Sequence, residues 1–308
     1  MISIGYRITR RTLRGVVLAL LALLAHGVVR ADDDTLEHGR YVFFAAGCVS
    51  CHGAHQTLAG GRALVTPFGT FYPPNITPDR EHGIGTWSAA EFMRALREGV
   101  DPRGEPYYPA FPYPSYTGMT NEDMQALYAY LMTQPADSRP NRRHELPWFL
   151  SYRPLIRDWK AGRFEPGVLP EDPAQTPQWN RGAYIARSLG HCGECHTPRG
   201  LLGAPRAGRY LAGARSGPDG VTVPNITPDP ATGIGEWTTG ELFTYLSIGQ
   251  RPDGRYASQP MLEVLGTSIM PLTESDRHAL ASYLQSLPPV RHDVYTRYDP
   301  FAPSWLRE

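Results

Sequence analysis

Hydrophobic positions along the chain fall at helical spacing, and they do so twice in the same surroundings. Met124, Leu127, Tyr128 and Leu131 form one apolar stripe, and Leu280, Tyr283, Leu284 and Leu287 form a second. Both follow the i, i+3, i+4, i+7 intervals of an amphipathic helix. Each stripe follows a helix-start signal, Thr120 with Asp123 and Thr273 with Asp276. The same signal stands earlier in each half, as Ser88 with Glu91 and Thr238 with Glu241. A hydroxyl and a carboxylate at this spacing together satisfy backbone N–H groups that the first helical turn leaves without partners. Weaker helical patterns over 36–46 and 179–188 open the two halves. The two-residue alternation of a sheet is nowhere sustained, so the pattern predicts an all-α protein with long connections.

The duplication extends to short strings, one of them identical in both halves. Cys48-Val49-Ser50-Cys51-His52 returns as Cys192-Gly193-Glu194-Cys195-His196, and Asn75-Ile76-Thr77-Pro78-Asp79 returns unchanged at 225–229. Gly83-Ile84-Gly85-Thr86-Trp87 returns as Gly233-Ile234-Gly235-Glu236-Trp237. The common order is helix, C-x-x-C-H, loop, Asn-Ile-Thr-Pro, Trp, helix, loop, helix. Two domains are therefore expected, over 32–134 and 178–292, with a linker over 135–177 and a tail over 293–308. The linker is rich in proline and charge, yet it holds Trp148, Phe149, Leu155, Ile156 and Trp159. So many large apolar groups argue against a free tether. The linker is expected to pack along the domains, with a short helix near 155–160.

Charge and termini narrow the setting. The 308 residues carry 30 basic and 30 acidic side chains. The five arginines of residues 1–31 face no acid there, so the remainder holds 25 basic against 30 acidic residues. That acidic balance gives no support to nucleic-acid binding, which wants a basic surface. Arginines followed by an apolar run from Val16 to Ala25, with Val29 and Ala31 at the small-residue positions, read as a cleaved signal peptide over 1–31. The run is too short to span a bilayer. The expected location is the periplasm, soluble or held peripherally at the inner membrane.

The four cysteines sit in two close pairs, each followed at once by histidine. C-x-x-C-H is the attachment signature of a c-type haem. Two thiols at that spacing bond the two vinyl groups of one porphyrin, and the next residue is held beneath the iron. Cys48, Cys51, Cys192 and Cys195 are thus expected to tether two covalently bound haem c groups, with His52 and His196 as iron ligands. A disulfide or half of a zinc site would explain one such motif, but not two in a duplicated frame. On the opposite side of the iron, electron carriers commonly place methionine. Met119 is the first half's methionine between the helix begun at Ser88 and the last helix, and Met261 and Met270 occupy the matching stretch of the second. Met93 and Met124 stand at core spacing. Asn75 and Asn225 suit either a haem carboxylate or a turn of their own. Trp87 and Trp237 are expected in the core, His191 at a surface or turn, and neither His55 nor His82 as a ligand.

These strings resemble the multi-haem cytochrome c subunits that serve periplasmic dehydrogenases. The resemblance covers nearly all of the chain after the leader. It also rests on Thr66-Pro67-Phe68-Gly69, on Tyr108-Pro109-Ala110-Phe111-Pro112-Tyr113, and on Trp179 to Tyr184 with Gly190 to Arg199. It implies two tandem class I cytochrome c domains, each wrapped around one attached haem. It further implies electron transfer from a periplasmic dehydrogenase to a terminal oxidase, quinone or another cytochrome, not catalysis. Met261-Leu262-Glu263-Val264-Leu265 matches the family's distal-methionine string, which favours Met261 over Met270. In the first half many relatives have Ala-Met-Pro-Tyr where this chain has Ala110-Phe111-Pro112-Tyr113, so the first iron takes Met119 or stays open. An open first haem would instead suit a peroxidase-like enzyme or a ligand sensor.

Overall fold

The computed structural model describes residues 33–53 and 57–295. The expected signal peptide and residues 296–308 of the expected tail lie outside these.

Each half begins with a helix leading into its C-x-x-C-H motif. In the first half α1 covers 33–45 and the single-turn α2 covers Cys48–His52. Gly47 joins them at φ 65, a left-handed conformation that glycine adopts without steric cost. A short hairpin follows, β1 (Leu64–Thr66) and β2 (Gly69–Phe71), with Val65 opposite Thr70. Then come α3 (Ala89–Glu98), α4 (Tyr113–Tyr116) and α5 (Asn121–Met132). The connection carries α6 (Arg153–Ala161). The second half has α7 (Pro177–Tyr184), α8 (Gly193–His196), α9 (Thr239–Ile248), α10 (Met261–Val264) and α11 (Glu274–Ser286). Both α7 and α10 run on through a π-helical turn, over Ile185–Leu189 and Leu265–Ile269.

The first and last helices of each half cross almost in backbone contact. A Cβ added at Gly39 would stand 2.0 Å from the Ala126 carbonyl oxygen, and one at Gly182 would stand 2.1 Å from that of Ala279. Only glycine permits this approach. The crossing anchors α1 on α5 and α7 on α11, which sets where each motif begins.

Helix starts follow the expectation for α3 and α9, whose capping boxes close in both directions. They depart from it for α5 and α11. Thr120 and Thr273 accept from the Asp123 and Asp276 backbone N–H groups, but each aspartate carboxylate is engaged elsewhere. Asp123 accepts the Tyr184 hydroxyl and bonds His38 Nε2 at 2.7 Å. Asp276 accepts the Tyr41 hydroxyl and takes Arg181 Nε at 2.8 Å and Nη2 at 2.6 Å. Tyr41 and Tyr184 hold matching places on α1 and α7, so each half's first helix is tied to the other half's last.

One hydrophobic cluster runs through both halves, from Val42, Leu96, Met124 and Leu127 to Ile185, Leu246, Leu265 and Leu280. A smaller cluster joins Phe71, Tyr108 and Ile156, which seats α6 beside the hairpin. The linker does pack. The hairpin's Thr70 exchanges two 2.9 Å backbone bonds with Glu145, and Leu169 N–H reaches the Gly118 carbonyl at 3.0 Å. Its apolar groups pack only in part, because α6 turns one face inward and Trp148 and Phe149 lie before it in the short turn Trp148–Ser151. Ile156 is buried, whereas Trp148 is 84% exposed and Phe149 and Leu155 are also exposed. The hairpin corrects a purely helical reading, since three-residue strands are too short to show alternation. Among the described residues, no helix is long and apolar enough to cross a membrane.

Candidate functional site

The two C-x-x-C-H motifs fold alike. Each cysteine pair lies on about one turn of helix, in α2 and at the start of α8, so i and i+3 project on one side. None of the four cysteines is in a disulfide. Burial pushes the Cys48 and Cys192 thiols up to about 12 and the Cys195 thiol up to about 11. Burial raises the Cys51 thiol as well. The thiols therefore stay protonated at neutral pH, and disulfide exchange, which needs the thiolate, is suppressed.

Each histidine is held by the same device. His52 Nδ1 lies 2.7 Å from the Pro74 carbonyl and His196 Nδ1 lies 2.8 Å from that of Pro224. A carbonyl only accepts, so Nδ1 carries the proton and Nε2 keeps its lone pair. Burial moves the His52 imidazole down to about 4 and lowers that of His196, which keeps both neutral, as a metal ligand must be. The chain returns identically in the two loops. Gly60 N–H meets the His52 carbonyl at 3.0 Å and Gly213 N–H meets that of His196 at 2.6 Å. Ile76 and Ile226 then bond the carbonyls of Leu58 and Leu211 at 2.9 and 3.0 Å.

The donor set fits covalently attached haem: two unpaired thiols one turn apart, with an oriented neutral imidazole directly after. Among the described residues no group of three or more His, Cys, Asp or Glu side chains converges as a metal site. Zinc therefore has no comparable ligand set there.

Asn75 and Asn225 act in turns. Asn75 Oδ1 accepts from the Thr77 N–H and hydroxyl, while its Nδ2 donates to the Asp137 and Arg139 carbonyls. Asn225 repeats this with Thr227, Thr232 and the Val290 carbonyl. Both Nδ2 hydrogens are engaged in each case, so the turn prevails over the carboxylate alternative. Each asparagine pins its loop to the segment that follows the last helix. Trp87 and Trp237 pack against the core cluster.

Met119 is fully buried, directly before the α5 N-cap. Met261 opens α10, half-buried against the core, and Met270 ends the following π turn, its carbonyl taken by Arg277 Nη1 at 2.9 Å. His55 lies outside the described residues. His82 is bound at its backbone N–H by Asp79 Oδ1.

Sequence reasoning missed what lies between the motifs. Ser50 meets Thr267 at 2.8 Å, Ser115 donates to Glu194 at 3.0 Å, and Arg62 pairs with Glu263. His191, at φ 37, is in a turn as expected, but its ring packs edge-on against Tyr116 with centroids 5.4 Å apart. Tyr116 in turn donates to the Ala46 carbonyl at 2.5 Å, beside Cys48. The two attachment helices thus converge on one boundary, where the Cys51 thiol contributes to raising that of Cys195. The extra residue between Tyr184 and Cys192, relative to Tyr41 and Cys48, was the available signal. The π turn over Ile185–Leu189 accommodates it and carries His191 to the boundary.

Comparison with known proteins agrees with this geometry. The cytochrome c family model matches residues 36–135. The chain is 40% identical over 260 residues to a dihaem c-type cytochrome of Cereibacter sphaeroides, covering 82% of this chain and 86% of that protein. It is 40% identical over 294 residues to the fructose dehydrogenase cytochrome subunit of Gluconobacter japonicus, covering 90% of this chain and 60% of that subunit. It is 39% identical over 288 residues to the gluconate 2-dehydrogenase cytochrome c subunit of Pantoea cypripedii, covering 90% of this chain and 65% of that subunit. The chain therefore spans less than two thirds of the length of these two dehydrogenase subunits.

Proposed function

The chain belongs to the c-type cytochromes, in the group that includes dihaem and dehydrogenase-subunit members, and on that premise we propose that it is a dihaem electron carrier. In this reading residues 32–134 and 178–292 are two cytochrome c domains joined by the linker over 135–177. Cys48 with Cys51 and Cys192 with Cys195 tether one haem each. His52 and His196 ligate the irons, and Met261 closes the second. The haem iron supplies the one-electron couple.

The protein's residues do the rest. The proline carbonyls fix the imidazole tautomer and orientation, which tunes ligand basicity. Burial of the imidazoles and thiols excludes water. The carrying observation is the convergence of the two motifs on one boundary, where Tyr116 donates to the Ala46 carbonyl ahead of one motif and packs against His191 ahead of the other. A chain built to pass electrons between two haems needs its attachment edges adjacent.

The donor is proposed to be a periplasmic dehydrogenase, since two of the relatives are named as dehydrogenase cytochrome subunits. The acceptor is a downstream oxidase, quinone or cytochrome, and the compartment is the periplasm. The test is reduction of the purified dihaem protein by a candidate dehydrogenase and its substrate. Reduction of both haems on a turnover timescale supports a carrier. Fast turnover of peroxide by the protein alone would assign it to catalysis.

A further inference from the structure

The second half contains a ruler for the first. From Asn75 to Tyr107 the main turns and helix ends recur 150 positions later, from Asn225 to Ala257. Gly99 and Gly249 both end a helix with positive φ, at 62 and 75. Tyr107 N–H meets the Gly99 carbonyl at 2.9 Å, and Ala257 N–H meets that of Gly249 at 2.8 Å. Asp101 bonds Glu105 at 2.9 Å, and Arg251 bonds Arg255 at 2.7 Å. Gly104 and Gly254, at φ 84 and 80, occupy the same turn. In this register Phe111 stands where Met261 stands.

Met119 falls in a different register. Three extra residues lie between Met261 and Thr273, in α10 and its π turn, so Thr120 matches Thr273 and Met119 matches Leu272. Met119 N–H bonds the Tyr116 carbonyl at 2.9 Å, and Leu272 N–H bonds that of Ile269 at 3.1 Å. Both side chains are buried, at 0% and 3% exposure. Each holds the position before the N-cap where an apolar residue fixes the entry of the chain into the helix. Met119 thus has a complete packing role, and its counterpart cannot bind iron.

We propose that Phe111 replaces the thioether at the first haem, so that its iron keeps a coordination position that takes a small uncharged diatomic such as carbon monoxide. The inference rests on the dihaem reading above. Phe111 packs with Tyr107, Tyr116 and Tyr113 at ring separations of 5.4, 5.7 and 6.4 Å. These rings carry no charge, so they offer a buried anion no countercharge, and its desolvation is costly. Access and polarity on this side of a haem decide whether it binds ligands.

The experiment is carbon monoxide titration of the reduced full-length dihaem protein, with the oxidised protein's near-infrared sulfur-to-iron band read in parallel. The wild type is expected to bind one carbon monoxide per chain and to show one such band. Met119→Leu should change neither. Met261→Ala should raise the stoichiometry to two, and Phe111→Met should lower it to none and add a second band. A wild type that binds no carbon monoxide, or a Met119→Leu variant that gains one, overturns the inference even if Phe111→Met does not fold. A denatured-protein mass with fewer than two haems would instead overturn the dihaem reading on which it depends.

Discussion

Met261 shows what a single side chain contributes. It opens a four-residue helix in a stretch whose first-half counterpart lacks the extra residues, and it lies against the core. A thioether favours ferrous iron, so Met261→Ala is expected to lower the second haem's potential and remove its sulfur-to-iron band. Met270→Ala should leave both nearly unchanged, because Met270's place is fixed by its backbone bonds to Leu265 and Arg277. Redox titration of the two variants checks this, and a larger effect at Met270 would reverse the ligand choice. The histidines work at the same scale. Without the carbonyls of Pro74 and Pro224, either nitrogen of each ring could carry the proton.

Helix starts and crossings show how much of the structure could be read from the chain. The apolar stripes of α5 and α11 and the boxes at Ser88 and Thr238 are local signals, and the elements form where these signals stand. The hairpin at 64–71 left no such trace, because three-residue strands depend on Glu145 and on each other. The aspartates at 123 and 276 read locally as cap residues, yet their carboxylates serve tyrosines 61 and 235 positions away. Long-range roles of this kind have no periodic signature. The motif thiols and histidines were legible from their C-x-x-C-H spacing, and Phe111 from the family string, whereas its match to Met261 within this chain came from the repeated loop bonds. At this scale Thr273→Ala should cost about 1 kcal/mol, the usual value of a lost N-cap hydroxyl. Chemical denaturation of the variant measures it. A loss well above that range would mean that the Thr273 hydroxyl, through the Asp276 N–H, also positions the Asp276 carboxylate for Tyr41 and Arg181.

Across the whole molecule, Asp276 and Asp123 tie the halves together through exchanged tyrosines. Burial opposes ionisation of Asp276, but the bonds from Arg181 and Tyr41 outweigh it and hold the carboxyl below its ordinary value. Its stabilising contribution is therefore complete above the unfolded aspartate pKa of about 3.9 and is lost as pH falls toward the lower folded value. Asp276→Asn is expected to lower the urea midpoint at neutral pH, with the gap to wild type closing progressively below about pH 4. A gap that persists unchanged in acid would show that the charge is not what matters. This tie matters for function because it fixes α1 and α7, the helices that lead into the two motifs, on the last helix of the opposite half. The central claim, that each motif tethers its own haem, is tested most directly by the mass of the denatured protein made with a c-type haem maturation system. Two attached haems are predicted, with Cys51→Ala and Cys195→Ala each weakening attachment at its own site alone. A mass gain of one haem, or release of haem into acid–acetone, would contradict it.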